Sequence, residues 1–490
     1  MAELVRDDAD RQTRSLLLVL VPLMLVLFIY TLDQTIVATT IPTIGRAFGD
    51  LSSASWIASA YLLTSAVSTL IFGKLGDMHG RKKIFQVALV IFLIGSALSA
   101  AAQNMPMIIG SRALQGVGGG GLGSLVQAIV GDLAPARQRS RYMSYLGIAA
   151  TVSLVAGPLL GGIFADDISW RWIFLINLPI GIAALAIVAR RLHLPVRQSE
   201  RHIDYPGSAL VTVFTAALLL VTVWGGDRYA WGSVTIIALI VITIGALAAY
   251  LLVERKAAEA ITPLRLFRSQ VFNISAAQFG IATLVLFAGL LYIPEFRQQV
   301  NHDSAFVSGL FLIPMLVGLV IATAVSGQLI AKTGRYKIYP VIGAVLSGGS
   351  MFAISRFTAT TPAVWLIALL AIFGAGIGLF VQVAVLAGQN DVEARDLGVA
   401  TGALNFFKTL GGALGSALFG AILAASLRQA GVHQAGSPGR EQYVAAYQHV
   451  FFWTVPFMAV CLVLGLVMKE KPLSEEMIQV AEGKAEVPEY

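Results

Sequence analysis

The sequence predicts an all-α membrane protein made of two six-helix bundles with two further helices inserted between them. Three observations carry this prediction. Hydrophobic residues make up 57% of the 490 residues and charged residues only 12%, whereas a soluble domain has about 25% charged residues. The chain contains fourteen apolar runs, each near the roughly 20 residues that a membrane-spanning helix needs. A basic loop motif occurs twice, at residues 73–83 and 327–337.

The fourteen runs set the order of the predicted spans. The first run is too long for a signal-peptide core of about 7–15 residues, so we expect it to be an uncleaved span. The predicted spans lie near 15–37, 53–73, 84–102, 105–126, 141–164, 171–189, 206–224, 231–253, 271–293, 305–328, 338–357, 363–385, 398–425 and 448–468.

The repeated motif divides these spans into two halves. Each copy has Gly, Leu two residues later, Gly-Arg at seven and eight, and Lys at ten, and the copies are 254 residues apart. Spans 1 and 9, like spans 5 and 13, are separated by nearly the same interval. Such internal repeats are typical of secondary transporters. The expected regions are a cytoplasmic N-terminus at 1–14, the first bundle at 15–190, linkers and the inserted hairpin at 191–270, the second bundle at 271–468 and a cytoplasmic tail at 469–490.

Charge predicts the orientation of the spans. When alternate segments are assigned to the two sides of a membrane, 25 Lys and Arg residues fall on the side of the N-terminus and 7 on the other. This bias marks the cytoplasmic side, so we expect both termini in the cytoplasm and a multi-pass protein of the plasma (inner) membrane. The bias also accounts for the net charge of +7, and we expect no nucleic-acid partner.

Asp33 is a carboxylate inside span 1, and Arg112 is a cation inside span 4. A charge in the bilayer costs about 2.5–3.5 kcal/mol on the insertion scale and normally faces a cavity or a partner. The apolar pattern of span 1 continues past Asp33 to Ile44, so at 1.5 Å per residue Asp33 and Arg112 lie roughly 16 and 10 Å deep from the outer side, and we expect them to pair directly or through water. Asp33 can then bind and release protons. The alternatives are a helix-end aspartate and an ion pair that only locks two helices.

Four further polar residues are candidates for contact with a substrate or for its exit. Gln34 and Gln115 stand close to the two charges in the sequence. Glu295 is expected at the outer end of span 9, where ordinary solvation is the alternative. Lys408, inside span 13, can snorkel to the interface, pair with a carboxylate or bind an anionic substrate.

A small-residue motif in span 5 is a candidate gate between the bundles. Pro158 lacks a backbone donor and kinks a helix, and glycines allow another helix to approach closely. Generic helix packing is the alternative. The motif residues are Gly157, Pro158, Gly161 and Gly162.

Several functions are disfavoured by what the sequence lacks. No G-x-x-x-x-G-K-[ST] motif is present, so ATP is not expected to drive the protein through a P-loop in this chain. Cys461 is the single cysteine, which excludes intrachain disulfides and multi-cysteine metal sites. No nucleophile–base or H-E-x-x-H constellation occurs in the spans. We therefore expect no enzymatic activity, no metal and no cofactor.

Together these motifs resemble the major facilitator superfamily, and within it the fourteen-span drug:proton antiporter branch of QacA/EmrB type. The loop at 73–83 is similar to the superfamily's loop 2–3 signature, and Arg112-x-x-Gln115-Gly116 is similar to its span-4 motif. Residues 157–162 resemble its antiporter motif. Leu32-Asp33-x-Thr35 and the segment 170–179 resemble signatures of the branch.

The resemblance implies a major facilitator fold and proton-driven export by alternating access. Asp33 and Arg112 would couple protons, span 5 would gate, and the first loop would lock the cytoplasmic side. The lock residues are Gly73, Asp77, Gly80, Arg81 and Lys82. Departures from the pattern are Ser144 and Ser153 in place of glycine and Ala331 in place of the second loop's aspartate, which implies a weaker lock there.

The same resemblance implies a cargo and an energy source. We expect a monomer in the lipid bilayer that exports amphiphilic, cationic drugs or toxic compounds, with a proton gradient in place of a cofactor. The alternative cargo is a lipid or a dedicated metabolite such as a siderophore, an amino acid or an antibiotic. A non-transporting membrane receptor is a more remote alternative.

Overall fold

The computed structural model describes residues 2–51, 53–133, 146, 149–150, 152–153, 156–192, 205–225, 229–256, 264–390, 392, 397–429 and 439–470. These residues are almost entirely helical. The helices are α1 (Ala2–Phe48), α2 (Trp56–His79), α3 (Arg81–Ala100), α4 (Met105–Leu133), α5 (156–163), α6 (Trp172–Leu175), α7 (Asn177–Arg191), α8 (Tyr205–Trp224), α9 (Val234–Lys256), α10 (Gln270–Val300), α11 (Ala305–Leu310), α12 (Leu312–Thr333), α13 (Ile338–Ile354), α14 (Ala363–Asn390), α15 (Leu397–Gln429), α16 (Arg440–Phe452) and α17 (Thr454–Val467).

Helix dominates because lipid offers no hydrogen-bond partner to the backbone, so each spanning segment must satisfy its own amides and carbonyls. Within the described residues, eleven helical segments are long and apolar enough to cross a membrane, and two shorter apolar helices lie at Pro206–Thr222 and Ile338–Ile354. The predicted span at 141–164 falls partly outside the described residues. The all-helical fold is confirmed, and the count of fourteen spans stays a prediction.

The helices form two bundles, α1–α7 and α10–α17, which meet along two seams. At one seam α2 packs against α15, and at the other the α5 region packs against α11. The hairpin of α8 and α9 lies between the halves in sequence. In space, α8 packs against both α2 and α15, while α9 leaves apolar side chains such as Val234 exposed. This exposed apolar face suits a lipid environment.

Two helices run further than the sequence predicted. The first span was predicted near 15–37, with its apolar pattern continuing to Ile44, whereas α1 begins at Ala2 within the predicted polar N-terminus and ends at Phe48. The hydroxyls of Thr39 and Thr40 donate to carbonyls of their own helix, so these polar residues do not end it. Asp33 is therefore about 22 Å from the end of α1 at 1.5 Å per residue.

The second correction concerns α10. The helix was expected to end near residue 293, but it continues through Pro294 to Val300. Glu295 therefore lies within α10 and not at the outer end of the span, where it was expected.

The two ends of the bundles are distinguished by the direction of the chain. We call the side where α1 and α10 begin the near end, and the side where they finish the far end. At the near end, each repeated loop has a glycine with positive φ: Gly80 has φ 91° and Gly334 has φ 68°. The two positions are equivalent in the repeat, and a Cβ is disfavoured at both. The glycine in the motif is thus explained by backbone geometry.

Candidate functional site

The centre of the first bundle holds an ion pair with no access to solvent. Arg112 Nη1 of α4 lies 2.6 Å from Asp33 Oδ2 of α1, and the side chains are 1% and 0% exposed. The sequence suggested this pair from depth alone, and the structure brings the two groups into direct contact. A buried pair of this kind is favourable only when the remaining donors and acceptors are also satisfied.

Neutral polar side chains complete the pair. Gln115 Nε2 donates to Asp33 Oδ1 at 2.9 Å, and Asn177 Nδ2 donates to the same oxygen at 3.3 Å. Arg112 Nη1 also donates to Gln115 Oε1 at 2.8 Å. Ser96 accepts from both amides, at 3.3 and 3.0 Å. Helices α1, α3, α4 and α7 thus meet in one network, which we call the Asp33 network.

Arg112 also connects the Asp33 network to α2. Its Nε donates to the Ile57 carbonyl at 3.1 Å, and its guanidinium lies 4.3 Å from the centroid of the Tyr61 ring. On the other side of α2, the hydroxyls of Ser59 and Ser416 of α15 are 2.7 Å apart. Arg112 is therefore separated from the second bundle by a single helix.

Two of the predicted substrate-contact residues, Gln34 and Glu295, lie outside the Asp33 network. Gln34, next to Asp33 in sequence, is half-buried and within hydrogen-bonding reach of the Tyr30 hydroxyl. Glu295 of α10 is also half-buried and within hydrogen-bonding reach of the Tyr447 hydroxyl of α16. Neither residue joins the Asp33 network, whereas Gln115 does.

The predicted gate divides into two kinds of contact. A Cβ at Gly157 or Gly161 would overlap α1 of the same bundle, at Thr35 and at Ile36 respectively. A Cβ at Gly162 would overlap the backbone of Phe306 in α11, across the seam. Two of the motif glycines thus pack within the first bundle and one packs across the seam, and the gating role stays a prediction.

The residue between these glycines also reaches the seam. The Pro158 carbonyl lies against Gly309 of α11, where a Cβ would meet it at 2.7 Å. Pro158 and Gly162 are therefore the motif residues in contact with the second bundle.

The described residues of the predicted near-end lock contact their own bundle, and the lock itself stays a prediction. The Arg81 guanidinium donates to the Ala128 carbonyl of α4, and Lys82 Nζ donates to the Ala189 carbonyl of α7 at 2.9 Å. Gly73 lies within α2, where a Cβ would meet no atom within 4 Å. The side chain of Asp77 lies outside the described part of the chain.

Hydrogen bonds between the bundles close the far end. Gln298 Nε2 of α10 donates to the Thr39 carbonyl of α1 at 3.1 Å, and Arg46 Nη2 donates to Gln298 Oε1 at 3.4 Å. The Asp166 carboxylate accepts from the backbone N–H groups of Ala305 and Phe306 at 3.0 and 2.7 Å, so it caps α11 from the opposite bundle.

Sequence reasoning did not select Asn177, Ser96, Asp166 or Gln298 as site residues. A weak signal existed for Asn177, since an amide within an apolar span needs a partner. Asp166 stands in a short link between two spans, where aspartate is ordinary. Only the fold shows that its carboxylate meets the start of a helix from the other half.

The match to known proteins covers most of the chain. Residues 23–416 match the family model described as Major Facilitator Superfamily. The chain is 37% identical over 465 residues to an MFS-type transporter of Mycobacterium tuberculosis, with 90% of this chain and 68% of that protein covered. It is 34% identical over 419 residues to Multidrug resistance protein 3 of Bacillus subtilis, with 85% and 81% covered.

Solved structures share the fold at low identity. A bacterial homologue of the human lysosomal transporter Spinster, in an inward-facing and unoccupied conformation, has a TM-score of 0.68 at 15% identity, with 95% of this chain and 96% of that chain covered. The nucleoside transporter NupG has a TM-score of 0.63 at 11% identity, with 91% and 99% covered. At these identities the likeness concerns the fold alone.

Proposed function

Since the chain belongs to the Major Facilitator Superfamily, we propose that it exports amphiphilic small molecules in exchange for protons, by alternating access. The family and the transporter relatives make it a multi-pass membrane transporter and not an enzyme. The proposal assigns it to the fourteen-span branch of QacA/EmrB type. A proton gradient supplies the energy, with no cofactor, and the monomer is the working unit.

The observation that carries proton coupling is the enclosure of Asp33. As a carboxylate, it accepts hydrogen bonds from Arg112, Gln115 and Asn177. Uptake of a proton removes its negative charge and turns one acceptor oxygen into a donor. Arg112 then loses its counter-ion, and its position against α2 must change. Because α2 contacts α15 through Ser59, this change reaches the seam between the bundles.

The proposal includes an orientation and a direction. The near end faces the cytoplasm of a cell bounded by a plasma (inner) membrane, in keeping with the positive charge of the near-end loops. The far end is closed by Asp166, Gln298 and Arg46. A conformation closed on the far side is the one in which an exporter loads cargo from the cytoplasm. Protonation of Asp33 from the outside then accompanies release.

The relatives suggest the kind of cargo. Proteins 33–34% identical to this chain are named as a multidrug transporter and a multidrug resistance protein, which supports an amphiphilic substrate. The resemblance to the branch implies a cationic group on it. Glu295 is the carboxylate that such a group would meet, because Asp33 is fully occupied by its own partners while Glu295 is half-buried beside Tyr447.

Proton release on cargo binding tests the coupling. We would add a panel of fluorescent amphiphiles of either charge to purified protein in weakly buffered detergent and record the pH change, then measure pH-driven efflux in proteoliposomes. The wild type should release protons, and Asp33→Asn should release none and show no pH-driven efflux. Asp303→Asn is the matched control, because it removes a carboxylate that pairs with Arg297 outside the Asp33 network. Proton release by Asp33→Asn equal to wild type would move the coupling site elsewhere, with Glu295 next to test.

A further inference from the structure

Lys408 is an ammonium group in the middle of a spanning helix. It lies on α15, whose apolar span covers Gly402–Gln429, about 16 Å from the start of the helix at Leu397. Because the apolar span begins at Gly402, about 9 Å before Lys408 along the helix axis, the direction in which the side chain leaves the helix decides between snorkelling and an internal site. The side chain is exposed, so it borders either lipid or a space inside the protein.

The neighbours of α15 show which way Lys408 faces. Gly411 packs against the backbone of α10, and Ser416 bonds to α2. Phe406 and Leu410 form a cluster with residues of the α8–α9 hairpin. At 3.6 residues per turn, Lys408 lies between the α10 face and the α2 face and opposite the hairpin. That direction is the space between the two bundles, not lipid.

No carboxylate in the described part of the chain pairs with Lys408. Its ring neighbour is Phe279 of α10, with Nζ 5.8 Å from the ring centroid. The Asp33 carboxylate is fully enclosed by its own partners. Glu295 lies about 24 Å further along α10 than Phe279. An intramembrane charge without a partner is costly, and such charges mark substrate or ion pathways.

The segment of α2 that lies level with Lys408 is polar in part and carries no charge. Helices α2 and α15 are antiparallel, and the Ser59–Ser416 bond fixes their register. Lys408 is therefore level with the part of α2 near Ser65. Ser65 itself is buried, whereas Tyr30 and Gln34 of α1, which lie within hydrogen-bonding reach of each other, are half-buried. The groups available on this side are thus one positive charge, the Phe279 ring and neutral hydrogen-bonding side chains.

We infer that Lys408 binds an anionic group of the cargo, so that the substrate is an amphiphile carrying a carboxylate, sulfonate or phosphate. The aromatic rings suit its apolar body, and the tyrosine and glutamine suit its polar atoms. A simple lipophilic cation without an anionic group is repelled at this point. The inference rests on the proposed export function and narrows its cargo to amphiphiles that carry an anionic group, with or without the cationic group that the resemblance implies.

The test compares two probes that differ in one charged group. 8-Anilinonaphthalene-1-sulfonate carries a sulfonate, and N-phenyl-1-naphthylamine is a neutral analogue without it. Binding of each would be titrated by fluorescence to full-length protein in nanodiscs of zwitterionic lipid, with empty nanodiscs as background. The variants are Lys408→Met, which removes the charge at similar length, and Lys408→Arg, which keeps it. Lys469→Met removes the same charge from an exposed position after α17 and is the matched control.

We expect Lys408→Met to weaken sulfonate binding about tenfold and to leave the neutral probe unchanged, with Lys408→Arg and Lys469→Met close to wild type. Displacement of the sulfonate by dodecyl phosphate and not by inorganic phosphate would support an amphiphilic cargo. Displacement by both would show that the site binds a free anion, which contradicts an amphiphilic cargo. Unchanged sulfonate binding in Lys408→Met, or an equal loss of both probes, would overturn the inference. Because binding is measured without a pH gradient, its outcome is independent of the proton-release test on Asp33.

Discussion

Asp33 and Arg112 stabilise the first bundle only as a pair. Each charge is buried, and each would be left without a counter-ion if the other were removed. Breaking a buried pair from one side is far more costly than replacing both charges by neutral groups of similar shape. The structural role of the pair and its proposed role in proton coupling can therefore be separated by measurement.

We expect Arg112→Gln to destabilise the protein by about 3–5 kcal/mol, because it leaves the Asp33 carboxylate buried and unpaired. The double variant Asp33→Asn/Arg112→Gln should recover most of this loss and remain inactive in pH-driven efflux. Thermal unfolding of purified protein in detergent gives the stability. A double variant no more stable than Arg112→Gln would show that the pair is not the source of the loss.

The sequence was sufficient to select the charged half of this site and not the neutral half. Charges within spans are rare, so Asp33 and Arg112 were visible as candidates, and their depths suggested contact. Asn177 and Ser96 were not selected, because neutral polar residues occur throughout membrane helices and hydrogen-bond to their own backbone as easily as to a neighbour. Which of them faces inward depends on helix rotation, which tertiary packing decides.

Helices come into close contact where small residues allow it. The sequence revealed the glycine motifs but not the helices that pack against them. Gly80 ends α2 and precedes α3 with φ 91°, and Gly162 touches α11. The repeated loop motif identified Gly80 as a candidate, and the glycine–proline motif of span 5 identified Gly162. Their different physical roles follow from the backbone angle in one case and from a neighbouring helix in the other.

Gly80→Ala should destabilise the protein by about 1–2 kcal/mol, because a Cβ is disfavoured at this positive φ. Gly73→Ala, seven residues earlier in the same motif, is the control: Gly73 is helical and has open space around it, so alanine should be neutral or slightly stabilising. Denaturation midpoints of the two variants give the comparison. Equal effects on stability would mean that the backbone angle does not explain why glycine occurs at this position in both copies of the repeat.

Gly162→Leu should hold the far end open without unfolding the bundle, because its Cβ would collide with Phe306 across the seam. The control is Gly349→Leu on α13, where a Cβ meets nothing within 4 Å. Reaction of a cysteine at Ile163, an exposed neighbour, with a membrane-impermeant maleimide reports the opening. Reaction rates equal to the control would show that the seam tolerates the larger side chain.

At the scale of the molecule, the described hydrogen bonds between the bundles lie toward the far end. Asp166 contributes a charge to this closure by capping α11. Negative charge at a helix N-terminus contributes about 0.3–1 kcal/mol at an exposed position. An energy of this size favours one conformation without making it permanent, as the proposed alternating access requires.

Asp166→Asn should therefore shift the population toward the far-end-open state by about two- to fivefold, and salt should reduce the difference. Asp167→Asn is the control, since it removes the same charge from the adjacent exposed position. Spin labels at Ile163 and Val307, both exposed, would report the distance distribution between the bundles. Identical distributions for the two variants would show that the cap does not contribute to closure.

The hairpin of α8 and α9 makes the two flanks of the transporter unequal. Helix α8 lies over the seam between α2 and α15, whereas none of the helices that the structure describes is inserted at the other seam. A compound dissolved in a membrane leaflet therefore meets one flank that is shielded and one that is not.

A photoreactive amphiphile in the bilayer should label α12 more than α15, and the reverse pattern would exclude entry from the bilayer through the unshielded seam. Sideways entry then has a single portal, although the duplicated architecture would otherwise provide two.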